Sequence, residues 1–302
     1  MSEQHTAFFD LLAEGYNVKY ACEKTRLKPK SVHALYKKYN KYPINKFSKY
    51  KIKGDYFDNI DTEEKAYFLG FLIADGCVMI ETIKNNRFVE GGKGYKLAFG
   101  IQDEDGFLMD IFSKELGFEK AKKNTNNQEG VIFRKLQRRF RFNNKHLVET
   151  LINKYKIIPR KTLDTAFEFP LEYIPKHLIR HFVRGFFDGD GCVTFTDKGK
   201  IFYFNFSFIF TSLIFAKQIG EIFENTFQMT PVYIDVKGKT VDSIALRFRT
   251  NRKRLEKMKE VFHWFYKDSV VYLERKKVKF EKYFEYLNTE VNSEITKGSE
   301  SL

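Results

Sequence analysis

Two aspartates at matching places in two related segments are the residues in this 302-residue chain best placed to do chemistry. Asp75 ends a run that reads YFLGFLIADGCV over residues 67–78, and Asp190 holds the same place in FVRGFFDGDGCV over residues 182–193. The two acids stand 115 residues apart, an offset that also matches Gly70 with Gly185, Phe71 with Phe186, and Gly76-Cys77-Val78 with Gly191-Cys192-Val193. Each run reads as a helix, so each carboxylate falls at a helix C-terminus, where the macrodipole disfavours negative charge. Brought together, the two carboxylates would also repel each other. A hard divalent cation answers both problems, because Mg²⁺ accepts carboxylate oxygens and keeps water and phosphate oxygens as its other ligands. Two such sites, one per strand of a DNA duplex, would activate water and steady a leaving 3′ oxygen.

Two other metal readings fit less well. Asp188-Gly189-Asp190-Gly191 looks like the start of a calcium loop, but the fifth and sixth positions are Cys192 and Val193 instead of an oxygen ligand and a glycine. His177 and His181 lie four apart on an expected helix with no third ligand at a telling spacing, so a surface or packing role is expected for them.

The elements that hold the aspartates follow from the same repeat. Gly70 and Ala74 are four residues apart, as are Gly185 and Gly189, so each helix carries a stripe nearly free of side chains. Such stripes let two helix backbones come close, and the simplest partner for one helix is its own copy across a pseudo-two-fold axis. Gly76 and Gly191 are expected at the left-handed C′ position. A second match supports the duplication: RFRFNNKHL (139–147) aligns with RFRTNRKRL (247–255), and Arg160-Lys161 aligns with Arg275-Lys276.

Both halves share one order of elements. The helix is followed by strands, at Lys96 to Ile101 in one half and Lys200 to Thr211 in the other. A helix comes next, around Phe107 to Leu116 or Phe215 to Phe227, then more strands and a closing helix that Asn143 or Asn251 could cap. Strict alternation from Phe202 to Phe210 gives one greasy and one polar sheet face. Each half is thus an α+β unit built on an antiparallel sheet. The open faces carry Arg134, Gln137, Arg139 and Arg141 in the first half and Lys200, Tyr203, Asn205, Arg247 and Arg249 in the second. Such a face can lie in a DNA major groove and touch base edges and phosphates.

Charge points the same way. The chain has 53 Lys and Arg against 39 Asp and Glu, a net charge of +14 that suits a polyanionic partner. Half of that excess lies in residues 1–55. Phe8, Leu11 and Leu12 mark a first helix there, Val18, Ala21 and Cys22 a second, and Val32, Leu35 and Tyr39 a third with Ser31 as its N-cap. That layout suits a helix-turn-helix DNA reader, with Lys30, Ser31 and Lys37 facing the groove or the phosphates. Three scattered cysteines with no CxxC argue against zinc or a disulfide framework. Neither a membrane-length apolar run nor a signal-peptide pattern is found, so a cytoplasmic or organelle-matrix location is expected, and secretion is not.

With FLGFLIADG (68–76) and VRGFFDGDG (183–191) as two motif copies, the sequence resembles the LAGLIDADG homing endonucleases in their single-chain, two-repeat form over roughly residues 56–286. The resemblance implies two αββαββα domains joined along the motif helices, with both sheets forming a saddle on DNA. It implies that Asp75 and Asp190, helped by the carbonyls of Ala74 and Gly189, bind two or three Mg²⁺ ions at the domain interface. It makes Lys161 and Lys276 the candidates to polarise phosphate or water, and it implies a double-strand break with short 3′ overhangs. The chain departs from the family pattern at Ile73, where the second copy keeps Asp188; that position resembles a structural site.

The expected partition is a DNA-binding module at 1–45, a basic linker at 46–55, repeat domains at 56–168 and 169–288, and a polar tail at 289–302. A monomer with internal pseudo-symmetry acting on double-stranded DNA is expected. The alternatives are a non-cleaving DNA-binding regulator or a maturase that holds intron RNA on the same saddle. A helix-turn-helix transcription factor with a structural C-terminal domain would leave the duplicated ADG and GDG endings unexplained.

Overall fold

The structure, a computed structural model, describes residues 2–13, 18–28, 31–39, 52–82, 93–117, 137–197, 202–249 and 255–299. It forms two compact units, Met1–Lys53 and Gly54–Leu302. Lys30, Arg134, Lys200 and Asn251 lie outside the described residues, as do the side chains of Lys37, Gln137 and Tyr203.

The first unit holds three short helices, α1 (Glu3–Ala13), α2 (Val18–Thr25) and α3 (Val32–Tyr39). Their apolar positions meet in one small core of Phe8, Phe9, Ala21, Cys22, Val32, Leu35 and Tyr36. Tyr36 packs its ring against both Phe8 and Phe9. In the turn before α3 the Ser31 hydroxyl donates to the Lys28 carbonyl at 2.8 Å, and Ser31 is exposed.

The second unit contains both repeats. The first runs α4 (Glu63–Asp75), β1 (Cys77–Thr82), β2 (Lys93–Gln102), α5 (Phe107–Glu115), β3 (Gln137–Asn143) and α6 (Lys145–Asn153). The second runs α7 (Ile179–Asp190), β4 (Gly191–Asp197), β5 (Phe202–Phe210), α8 (Leu213–Phe227), β6 (Val232–Val236), β7 (Ser243–Arg249) and α9 (Leu255–Tyr266), the full αββαββα order. In the first repeat the strand expected between α5 and β3 falls in residues 118–136, outside the described set. A closing helix, α10 (Glu274–Ser299), continues through most of the segment expected as a polar tail.

Both sheets are antiparallel, with strand orders β1-β2-β3 and β4-β5-β7-β6. Alternation decides their faces. Phe204, Phe206, Phe208 and Phe210 are buried and face Leu246, Phe248 and Ile244 across the β5–β7 ladder. Leu97, Phe99, Ile101 and Phe140 do the same work in the first sheet. Local signals set the helix starts. Thr62 accepts from the Lys65 amide at the head of α4, and Ser212 from the Phe215 amide at the head of α8. The cap of α6 is Asn144, whose side chain accepts from the Leu147 amide at 3.0 Å. Asn143, the expected cap, is instead the last residue of β3, because the strand keeps pairing one residue further, with Asn143 opposite Lys96.

Candidate metal and nucleic-acid site

Helices α4 and α7 make the most extensive helix contact among the described elements. Every residue of α4 from Ala66 to Ala74 is buried. Glycine permits the approach. A Cβ added to Gly70 would sit 2.0 Å from the Phe182 carbonyl oxygen, and one added to Gly185 would sit 1.9 Å from the Tyr67 carbonyl oxygen. Those contacts are reciprocal, because Tyr67 and Phe182 are equivalent at the same 115-residue offset that relates Gly70 to Gly185. The two helices are therefore related by a local two-fold axis. Near it, a Cβ on Gly189 would lie 2.2 Å from the Cβ of Ala74, its own equivalent.

This crossing brings the two helix ends together. The same built Cβ on Gly189 lies 3.4 Å from Asp75 Oδ2. Asp75 stays exposed, while Asp190 is half-buried. Burial, and then repulsion from Asp75, pushes the Asp190 carboxyl up to about 6, only partly offset by Lys161 and Lys276. Crowding by the surrounding protein also raises Asp75, against the pull of Lys161, Lys276 and Arg275.

The glycines after the aspartates depart from expectation. Gly76 (φ −74°, ψ 146°) and Gly191 (φ −88°, ψ 155°) are extended, not left-handed. The chain passes directly into β1 and β4 without a reversing cap. Glycine is needed there for room: a Cβ would meet the Leu72 carbonyl oxygen at 2.4 Å in one case, and the Phe187 ring at 2.2 Å in the other.

The lysines converge on the same place. Lys161 Nζ donates to the Ala74 carbonyl at 2.7 Å. Lys276 is buried, and its Nζ donates to the carbonyls of Asp188 (2.8 Å), Gly191 (2.6 Å) and Phe187 (2.5 Å). These bonds cap the electronegative helix ends that hold the aspartates. Burial lowers Lys276 to about 8 despite the nearby carboxylates, and it lowers Lys161 as well. The Ala74 carbonyl, expected as a metal ligand, thus serves as an acceptor for Lys161.

The residues present suit a hard cation. Among the described residues no group of three or more His, Cys, Asp or Glu side chains converges to hold a metal; the two carboxylates here stand beside backbone oxygens, of which those of Ala74, Asp188 and Gly191 also accept from Lys161 or Lys276. An oxygen-only set that leaves coordination positions for water and phosphate is how Mg²⁺ is commonly bound. Burial first, and then the neighbouring Asp75, disfavours ionised Asp190, a cost that a bound cation would offset.

The open sheet faces carry the expected basic residues. Arg139 and Arg141 stand opposite Gly100 and Ala98, small neighbours that leave the guanidinium stems uncovered. Both arginines are exposed, and Arg141 pairs with Glu81 at 3.1 Å. In the second sheet Arg249 pairs across from Asn205, and Arg247 from Ser207.

Glu63, Arg184 and Asp105 escaped the sequence reading, whereas Asp188 and Arg275 were named in it. Arg184 lies fully buried in α7 and donates to Glu63 Oε1 on α4 (2.7 Å), to the carbonyls of Phe265 (2.6 Å) and Val271 (3.0 Å), and to Ser269 Oγ (2.6 Å). Asp188 is buried and accepts from Tyr67 Oη (2.8 Å) and the Leu273 amide (2.7 Å). These bonds hold the segment leading to Lys276. Arg275 reaches the buried Asp105 of the first repeat at 3.0 Å. The available signal for Arg184 was its place in the second motif copy where the first has Leu69. His181 is buried, 3.5 Å from Glu63, in the packing role expected of it.

No protein-family model matches the chain, and no curated protein matches it. Solved structures do. One is described as the meganuclease I-SmaMI bound to uncleaveable DNA, at 13% identity and a TM-score of 0.51, with 78% of this chain and 92% of that chain covered. A point mutant of I-SmaMI gives 12% identity, a TM-score of 0.50 and the same coverage. At that identity the likeness speaks to the fold. With its duplicated motif helices and paired antiparallel sheets, the chain has the fold of the LAGLIDADG homing endonucleases.

Proposed function

We propose that this chain is a site-specific DNA endonuclease that makes a metal-dependent double-strand break in a long target, leaving short 3′ overhangs. The observation that carries the reading is the convergence of Asp75 and Asp190 at the ends of two helices related by a local two-fold axis. A symmetric pair of acids suits the two antiparallel strands of one duplex. In this reading Asp75 and Asp190 hold Mg²⁺, with the carbonyls of Gly189 and Ala74 beside them. The bound ion would supply Lewis-acid stabilisation of the phosphate and a more acidic water. Lys161 and Lys276 keep positive charge fixed at the helix ends and offset the repulsion between the carboxylates. Arg139, Arg141, Asn205, Arg247 and Arg249, with Arg134, Gln137, Lys200 and Tyr203, contact DNA from the sheets. The first unit adds contacts through Lys30, Ser31 and Lys37.

The test is incubation of the full chain with a randomised duplex library in Mg²⁺, alongside Asp75→Asn and Asp190→Asn. The wild type should yield double-strand ends at one rare site. Each variant should bind the selected site and give no linear product. Tight binding by the wild type without any cleavage would instead support the regulator reading.

A further inference from the structure

The described parts of the two open sheet faces carry different side chains. In the second sheet the ladder aligns Ile209, Ala245 and Ile234 as one row across β5, β7 and β6. The flanking positions of β6 are Val232 and Val236. Alternation places all five on the face opposite the phenylalanine core. Tyr233 confirms the side: its hydroxyl points at Gly220 of α8, where an added Cβ would lie 2.4 Å away. Ile209, Val232 and Val236 are 37%, 47% and 40% exposed and Ile234 is half-buried, while the small Ala245 between them is covered, on a face that elsewhere carries arginine and asparagine. In the first sheet, β2 and β3 present Lys96, Ala98, Gly100, Arg139 and Arg141 on the corresponding face.

We propose that this apolar row reads thymine methyl groups in the half-site beneath the second repeat. The inference rests on the endonuclease reading and adds a base preference to it. The thymine C5-methyl is the apolar group that B-DNA projects into the major groove, and arginine beside it selects guanine. Arg247 faces Val232 directly across the β6–β7 ladder, so the row borders a cationic group suited to a polyanion. With strands about 4.8 Å apart and alternate residues about 6.7 Å apart, the patch spans roughly two or three base steps. The half-site should therefore hold a short thymine-containing run bordered by guanine. The methyl dependence also separates DNA from RNA, whose uracil lacks the group.

The experiment uses the full chain and the duplex selected from a randomised library. Each thymine is replaced in turn by deoxyuridine, which removes the methyl and keeps the pairing. Binding should weaken about fourfold for each contacted methyl in the half-site beneath the second repeat. The double variant Val232→Ser with Ile234→Ser, which removes the methyl groups at both positions, should narrow the preference for thymine over uracil, while Arg247→Gln should keep it. Equal binding of thymine and uracil duplexes by the wild type, with cleavage intact, overturns this inference and leaves the endonuclease reading standing. A library that yields no bound duplex overturns both. Self-association in sedimentation that the double variant abolishes overturns it in favour of a contact between copies.

Discussion

Replacing Gly185 by alanine tests the helix crossing on which the site depends. A Cβ there would stand 1.9 Å from the Tyr67 carbonyl oxygen, whereas real Cβ atoms essentially never come within 3.0 Å, so the helices must part by about 1 Å. The obstacle is backbone, which no side-chain rotation can relieve. Overpacking of this kind costs about 1–3 kcal/mol or more, and the better helix propensity of alanine returns about 1 kcal/mol. Because the obstacle is backbone, the cost falls at the upper end of that range, and the net loss should reach about 2 kcal/mol. Displacing reacting groups by about 1 Å costs about 100-fold in rate. Urea unfolding followed by Trp264, the sole tryptophan, reports on the unit that holds the site. Gly70→Ala should behave alike, since its Cβ meets the Phe182 carbonyl oxygen at 2.0 Å. Gly220→Ala is the control: its Cβ meets side-chain atoms, the Tyr233 hydroxyl at 2.4 Å and Pro231 Cγ at 3.2 Å, and no backbone, so stability should change less and cleavage not at all. If Gly185→Ala kept wild-type stability and full cleavage, the close-approach argument would fail.

Two further outcomes follow from the charges. The Asp190 carboxyl is raised from 3.8 to about 6, so the folded state binds the extra proton, and stability is lost as pH rises through that window. Asp190→Asn should therefore stabilise the metal-free protein above about pH 6, by up to about 3 kcal/mol, and should abolish the stabilisation that Mg²⁺ gives the wild type in thermal unfolding. An unchanged melting curve with and without Mg²⁺ in both proteins would count against the metal site. Burial, then Arg184 and Arg180, lowers His181 to about 3, so its contribution is present above pH 6.5 and is lost as pH falls below it. Between pH 6.5 and about pH 5 the protein should lose about 2 kcal/mol, and His181→Asn should flatten that slope in urea midpoints; a slope unaltered by the substitution would refute the assignment.

Much of the architecture was legible because a duplication repeats its signals. The 3.6-residue pattern of the motif runs, the small residues at four-residue spacing and the alternation from Phe202 to Phe210 are local, and each appears where expected. What stayed hidden depends on groups far apart in the chain. The roles of Gly76 and Gly191 are set by the path into the following strands and by crowding against Leu72 and Phe187, which spacing alone does not report. The lysines were foreseen near the aspartates, but their bonds to helix-end carbonyls require the tertiary arrangement. The cap of α6 moved by one residue because strand pairing outlasted the expected boundary.

The Glu63–Arg184 pair bears on how such halves can be exchanged. At the 115-residue offset, Glu63 corresponds to Leu178 and Arg184 to Leu69, so the acid and the base occur once each, in different halves. A homodimer made from the first half would bury two carboxylates with no guanidinium opposite. One made from the second would bury two guanidiniums with no acid. Removing one partner of a buried ion pair costs about 3–5 kcal/mol. The fused gene has thereby lost the freedom to revert to symmetric subunits, and a chimera that grafts either half onto a foreign one must carry a matching partner for this single charge.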